Sequence, residues 1–196
     1  MGLFNGEHEN ARFHGFYRGE VMDNQDPKQS GRIKLSIHGV LQGIDTASLP
    51  WAIAASPTFV GAGSGSGRFM VPDIGTIMWC FFEEGDHNQP VYFAEAPDCV
   101  HGLPEERTTN YPKRRVLKTS AGVVIYIDDE TTDVRVNHPS GTFVEIDKDG
   151  HVRIHGGNVR IDGADIDVEG NTIDLTAGNI KMTAGGIQII GPLDVN

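Results

Sequence analysis

From Asn158 to Pro192 the chain repeats itself every seven residues, as NVRIDGA, DIDVEGN, TIDLTAG, NIKMTAG and GIQIIGP. Apolar residues hold the second and fourth places: Val159 and Ile161, Ile166 and Val168, Ile173 and Leu175, Ile180 and Met182, Ile187 and Ile189. Gly or Ala holds the sixth, at Gly163, Gly170, Ala177, Ala184 and Gly191. A coiled coil shares the period of seven, but its apolar places lie three and four apart. Spacings of two and five belong to strands, whose side chains alternate between faces. The repeat predicts short strands joined by tight corners. Gly or Ala at the sixth place is expected where a larger side chain would crowd the corner or where φ is positive.

Seven extended residues reach about 23–25 Å. That length makes one side of a three-sided coil and not a closed turn. Three copies, each giving one side, close the coil. A solitary chain would leave a row of Val, Ile and Leu in water beside two open sheet edges, which invites aggregation. The expectation is an intertwined homotrimeric β-helix. Its core comprises Val152, Ile154, Val159, Ile161, Ile166, Val168, Ile173, Leu175, Ile180, Met182, Ile187 and Ile189. Outward places carry Arg160, Asp162, Asp165, Asp167, Glu169, Asp174 and Lys181, which keep the shaft in solution. Upstream, the pairs step by eight from Val144/Ile146 to Val152/Ile154. The seven pairs from Val144 to Ile189 predict one continuous stack, roughly 30–35 Å long at about 4.8 Å per layer.

Composition narrows the function. The chain of 196 residues carries a formal net charge of −11, against the electrostatic footprint of a nucleic-acid binder. Its 25 glycines are too few for collagen and too regularly placed for disorder. Cys80 and Cys99 form no metal or C-x-x-C spacing and are expected to be reduced. The opening MGLFNGEHENARF lacks the apolar core of a signal peptide, and no apolar run approaches the roughly 20 residues of a membrane span. The chain is expected to be soluble and not exported through the Sec route.

Residues 1–11 read as a flexible arm. Residues 12–95 read as all-β, with alternation in Phe16–Val21 and Arg32–His38, and apolar runs at Thr76–Phe82 and Val91–Ala94 flanking EEGDHNQP. About five short strands in this length predict a small barrel such as an OB-fold. Residues 96–120 read as a linker with Pro97, Pro104 and Pro112 and the basic run Lys113-Arg114-Arg115. Residues 121–196 read as the trimeric shaft, opening with strand signals at Val123–Ile127, Val134–Val136 and Phe143–Ile146.

Residues of catalytic type are not arranged for catalysis. HENARFH (8–14) does not place two imidazoles on one helix face. GAGSGSGRF (61–69) lacks the ending of a phosphate loop. Glu83-Glu84 and Asp128-Asp129-Glu130 read as solvated turns without the apolar pocket that raises one carboxyl of a glycosidase pair. His151 and His155 read as solvated outward residues beside Arg153. No catalytic, cofactor-binding or metal residue is expected, and no cofactor.

Three motifs in order carry a family resemblance. DNQDPKQSGRIKLSIHGV (23–40) followed by LPWA (49–52), and then VPDIGTIMWCFFEEGDHNQPVYFAE (71–95), resemble the OB domain of the central spike of contractile phage tails. TSAGVVIYIDDETTDVRVNHPSGTFVEIDKDGHVRI (119–154) resembles the block with which spike β-helices begin. The wider group includes spikes of type VI secretion and R-type bacteriocins. The resemblance implies a structural, non-enzymatic spike in the virion baseplate, assembled in the host cytoplasm, that pierces the host envelope on contraction. It implies a hub protein above the OB collar. The alternatives are the spike of a secretion-type injection system and a tail-associated cell-wall hydrolase. Two features depart from the family. The 96–120 stretch replaces the lysozyme domain of the family prototype, so muralytic activity is not implied. The H-x-H motif that binds an iron ion at some spike tips does not occur, which leaves a blunt tip or a separate PAAR-like tip protein.

Overall fold

The computed structural model describes residues 12–55, 67–97 and 102–181. Five strands close a barrel: β1 (Tyr17–Asp23), β2 (Ile33–Ile37), β3 (Trp51–Ala54), β4 (Ile77–Phe82) and β5 (Pro90–Glu95). Their order around the barrel is β1-β2-β3-β5-β4, and β4 returns to β1. All neighbours are antiparallel except β3 and β5, whose parallel pairing shuts the barrel. This is the five-stranded OB arrangement. Alternation puts Val21, Ile33, Leu35, Ile37, Met78, Cys80, Phe82 and Tyr92 inside, with Leu41, Leu49 and Ala52 completing the core. Gly19 takes an inward place because a Cβ there would lie 3.0 Å from Ile37 and 3.3 Å from Leu35. The expected alternating segments coincide with β1, β2, β4 and β5 to within two residues at each end.

A second sheet follows as an antiparallel meander: β6 (Arg114–Lys118), β7 (Val124–Asp128), β8 (Val134–Asn137), β9 (Phe143–Ile146) and β10 (Val152–His155). β6 lies inside the stretch read as linker. The turns are built on side chains that accept from the following backbone. Thr119 receives Val123 N–H, Asp128 receives Glu130 N–H, and Asp147 receives Asp149 and His151 N–H. Such local bonds replace the ladder where the chain reverses.

The meander corrects the expected continuous stack. Val144/Ile146 and Val152/Ile154 sit on strands that run antiparallel and pair with each other within one chain. Their step of eight is the period of a hairpin, not of a layer. The seven-residue repeat begins only after His155.

Candidate assembly interface

The sheet β6–β10 has one polar and one apolar face, and the apolar face is the open one. Leu117, Ile125, Val136, Val144 and Ile154 form one cross-strand row. Ile127, Val134, Ile146 and Val152 form the next. Every one is between 37% and 65% exposed. The opposite face covers itself with long polar side chains. Arg135 reaches Glu145 at 3.0 Å and lies 3.9 Å over the Phe143 ring, while Arg114 lies 4.3 Å over Tyr126. A sheet of a solitary globular protein turns its apolar face inward. Among the described residues no element covers that face.

The repeat likewise leaves its apolar places exposed, in a regular conformation. Bends fall at Gly157, Ala164–Asp165, Asn171 and Gly178, so the backbone turns every seven residues. Second-place residues Val159, Ile166, Ile173 and Ile180 are 51–52% exposed, whereas fourth-place Ile161, Val168 and Leu175 are 67–71% exposed. Of the expected core residues, Val152, Ile154, Val159, Ile161, Ile166, Val168, Ile173, Leu175 and Ile180 are all exposed in the single chain. Met182, Ile187 and Ile189 lie outside the described residues. Among the described residues, backbone–backbone hydrogen bonds outside the strands stop at His151, and no strand follows β10. Backbone donors and acceptors kept out of water need partners, and among the described residues no backbone group pairs with residues 156–181.

The corners work differently from the expectation at one point. Gly163, Gly170 and Gly178 do not adopt positive φ. At Gly163 the constraint is space: a Cβ would lie 3.0 Å from the Asp165 carbonyl oxygen and 3.2 Å from Ile166. At Gly170 the nearest atom is 3.4 Å away, an ordinary contact, which is why Ala serves at the same place in later units.

Asp128 is not the solvated group that its sequence context predicts, whereas Asp129, Glu130, His151 and His155 are exposed as expected. Asp128 is fully buried, accepting Arg114 Nε at 2.7 Å and Asn110 Nδ2 at 2.9 Å with the N–H groups of Glu130 and Thr131. Burial, the largest influence, pushes its carboxyl up, but the four donors together outweigh it and hold the group at about 2. Arg114 is therefore spent within the sheet, while its neighbour Arg115 pairs with Asp129 at the surface. His155 stacks on Phe143 with centroids 5.2 Å apart. Asp147, Asp149 and His151 gather in the β9–β10 turn, but Asp147 caps the turn and binds Arg153, and Asp149 binds Lys148. Glu83 and Glu84 are exposed as expected. HENARFH and GAGSGSGRF fall largely outside the described residues.

In the barrel, the motif residues converge on Trp51. Asp26 accepts the Arg32 guanidinium, the Ser30 hydroxyl and the N–H groups of Lys28 and Ser30. The Arg32 bond, first among its influences, holds the Asp26 carboxyl well below the usual range. Arg32 lies 5.2 Å from the Trp51 ring centroid, and the Lys34 ammonium lies 5.1 Å from it. Lys34 is buried and donates to the carbonyls of Thr46 and Ala47 at 2.8 and 2.9 Å. The D-P-x-x-x-G-R-x-K segment and the L-P-W segment thus form a single cluster of charge-assisted and cation–π contacts. Residues 17–95, from the first residue of β1 to the last of β5, match the type VI secretion system/phage-baseplate injector OB domain. The barrel is similar to that domain. The match covers the whole barrel, β1 to β5. No curated protein matches the chain.

Sequence reasoning located the repeat face but missed that it extends back over Leu117, Ile125, Ile127, Val134 and Val136. The signal was present as strict alternation in VIYID and VRVN.

Proposed function

We propose that three copies of this chain close a β-helical shaft below a collar of injector OB barrels, and that the assembly is the piercing spike of a contractile tail. The observation that carries the reading is the open apolar face of β6–β10 and the exposed apolar places of residues 156–181, whose periodic backbone has no backbone partner among the described residues. Two further copies would supply both the apolar cover and the missing backbone partners. Stiffness follows: the interchain ladders and one continuous apolar core leave no weak direction along the axis. The injector OB match supports a place in a baseplate, with a hub protein above the collar and host-envelope contact at the far end. The matched family spans phage and secretion settings, and the motif resemblance favours the phage tail, with assembly in the host cytoplasm. Replacing Ile173 or Ile180 with Asp is expected to abolish SDS-resistant trimers on unheated gels while the barrel keeps its tryptophan fluorescence. Persistence of the trimer band would overturn the inward assignment.

A further inference from the structure

Outside the shaft, the barrel carries an aromatic cluster that its core does not use. Phe16, Phe81 and Phe93 form a triangle with ring centroids 5.5, 6.3 and 6.3 Å apart. Phe16 is 70% exposed and Phe93 43%. Phe93 owes its position to a β-bulge: Cys80 pairs with Tyr92 and Trp79 with Ala94, which leaves Phe93 without a partner on β4. Bulges re-aim a side chain at the expense of ladder bonds, and here the result is a phenyl ring turned towards Phe16. Beside it Ile53, 45% exposed, pairs with the buried Val91, which in turn pairs with Phe81 across β3, β5 and β4. Exposed clustered aromatics are the anchors that dominate protein interfaces.

The area of the patch limits what covers it. With aromatic side chains offering about 150–250 Å² each, the exposed parts amount to roughly 300 Å². Two copies meeting patch to patch would bury about 600 Å², well below the ~1,200 Å² of a stable specific interface. Such a two-fold contact would also clash with three-fold closure of the shaft. Three patches on one trimer total about 900 Å², the scale of one side of a standard interface. We infer that the Phe16–Phe81–Phe93 triangle is the barrel's docking pad for a three-fold baseplate protein that offers three apolar sockets. The affinity is multivalent: each pad alone is weak, and joining three on one rigid body makes the second and third contacts intramolecular. This inference rests on the trimeric reading above.

The test uses particles lacking the spike, complemented in trans with the full chain. The F16S/F93S variant, changed only at exposed rings, is expected to run as a trimer with unaltered melting, yet to enter particles about tenfold less or worse. I74S, which removes an equally exposed apolar side chain (63%) outside the triangle, is expected to enter normally. Equal incorporation of F16S/F93S and wild type overturns the pad. Loss of the trimer in F16S/F93S also overturns it, by showing a copy-to-copy contact, and so does an equal defect in I74S. A wild-type chain that is not a trimer in solution overturns three-fold docking together with the trimeric reading. That outcome is distinct from failure of the pad alone, in which wild type and variant are both trimers.

Discussion

Asp128 shows how a single carboxylate fixes the joint between β6 and β7. It is the most enclosed acid of the sheet, and four donors converge on it. An unfolded Asp titrates near 3.9, while this one is held at about 2. Its folded value is the lower, so the contribution is complete above pH about 4 and is lost as pH falls from there towards 2. Asp128→Asn should therefore lower the melting temperature at pH 7, and its difference from wild type should shrink between pH 4 and pH 2 in thermal scans. A gap that stays constant over that range would show that the charge is not what matters. In the barrel core, Leu35→Ala should cost roughly 2–5 kcal/mol in urea unfolding, as expected when a fully buried side chain leaves a cavity.

Among the elements, the hairpins and the repeat obey different rules although their apolar spacing looks alike. Alternation reveals that a segment is a strand and which residues share a face. It does not reveal the direction of the strand it pairs with, so VEI and VRI read as layers of a stack when they are two arms of a hairpin. β6 was hidden for another reason: RRVLK follows a proline and opens with two cations, and only the cross-strand partners of Arg114 and Leu117 make it a strand. The partners of Asp128 lie 14 and 18 residues away, so its turn-like neighbourhood could not announce its burial. The barrel was legible because each strand buries one face and meets its turn residues on schedule. The corners yield a test at this scale. Gly163→Ala should destabilise the shaft by roughly 1–3 kcal/mol through crowding, whereas Gly170→Ala should be neutral or gain about 0.4–1 kcal/mol from a stiffer unfolded chain. Thermal melts of the two single variants would check the order, and equal effects would refute the spatial account of the corner.

At the level of the whole molecule, the chain divides its labour between a closed barrel and an open face. The barrel buries its core within one copy and keeps its aromatic triangle outside. The sheet and repeat leave their apolar rows open when alone, and their stability on the proposed reading belongs to the assembly and scales with protein concentration. The bends at Gly157, Ala164, Asn171 and Gly178 carry one more consequence. Each described unit repeats the same turn and the same exposure, so on the proposed reading the shaft is divisible. Removing residues 165–171 deletes one whole unit and leaves every later apolar place in phase; such a chain should still give SDS-resistant trimers, shorter by one layer. Removing residues 165–172 shifts the phase by one, turns the following apolar residues outward, and should give none. Reach is thus a counted quantity, and a lineage can lengthen or shorten the shaft by whole units without altering the pattern of any contact.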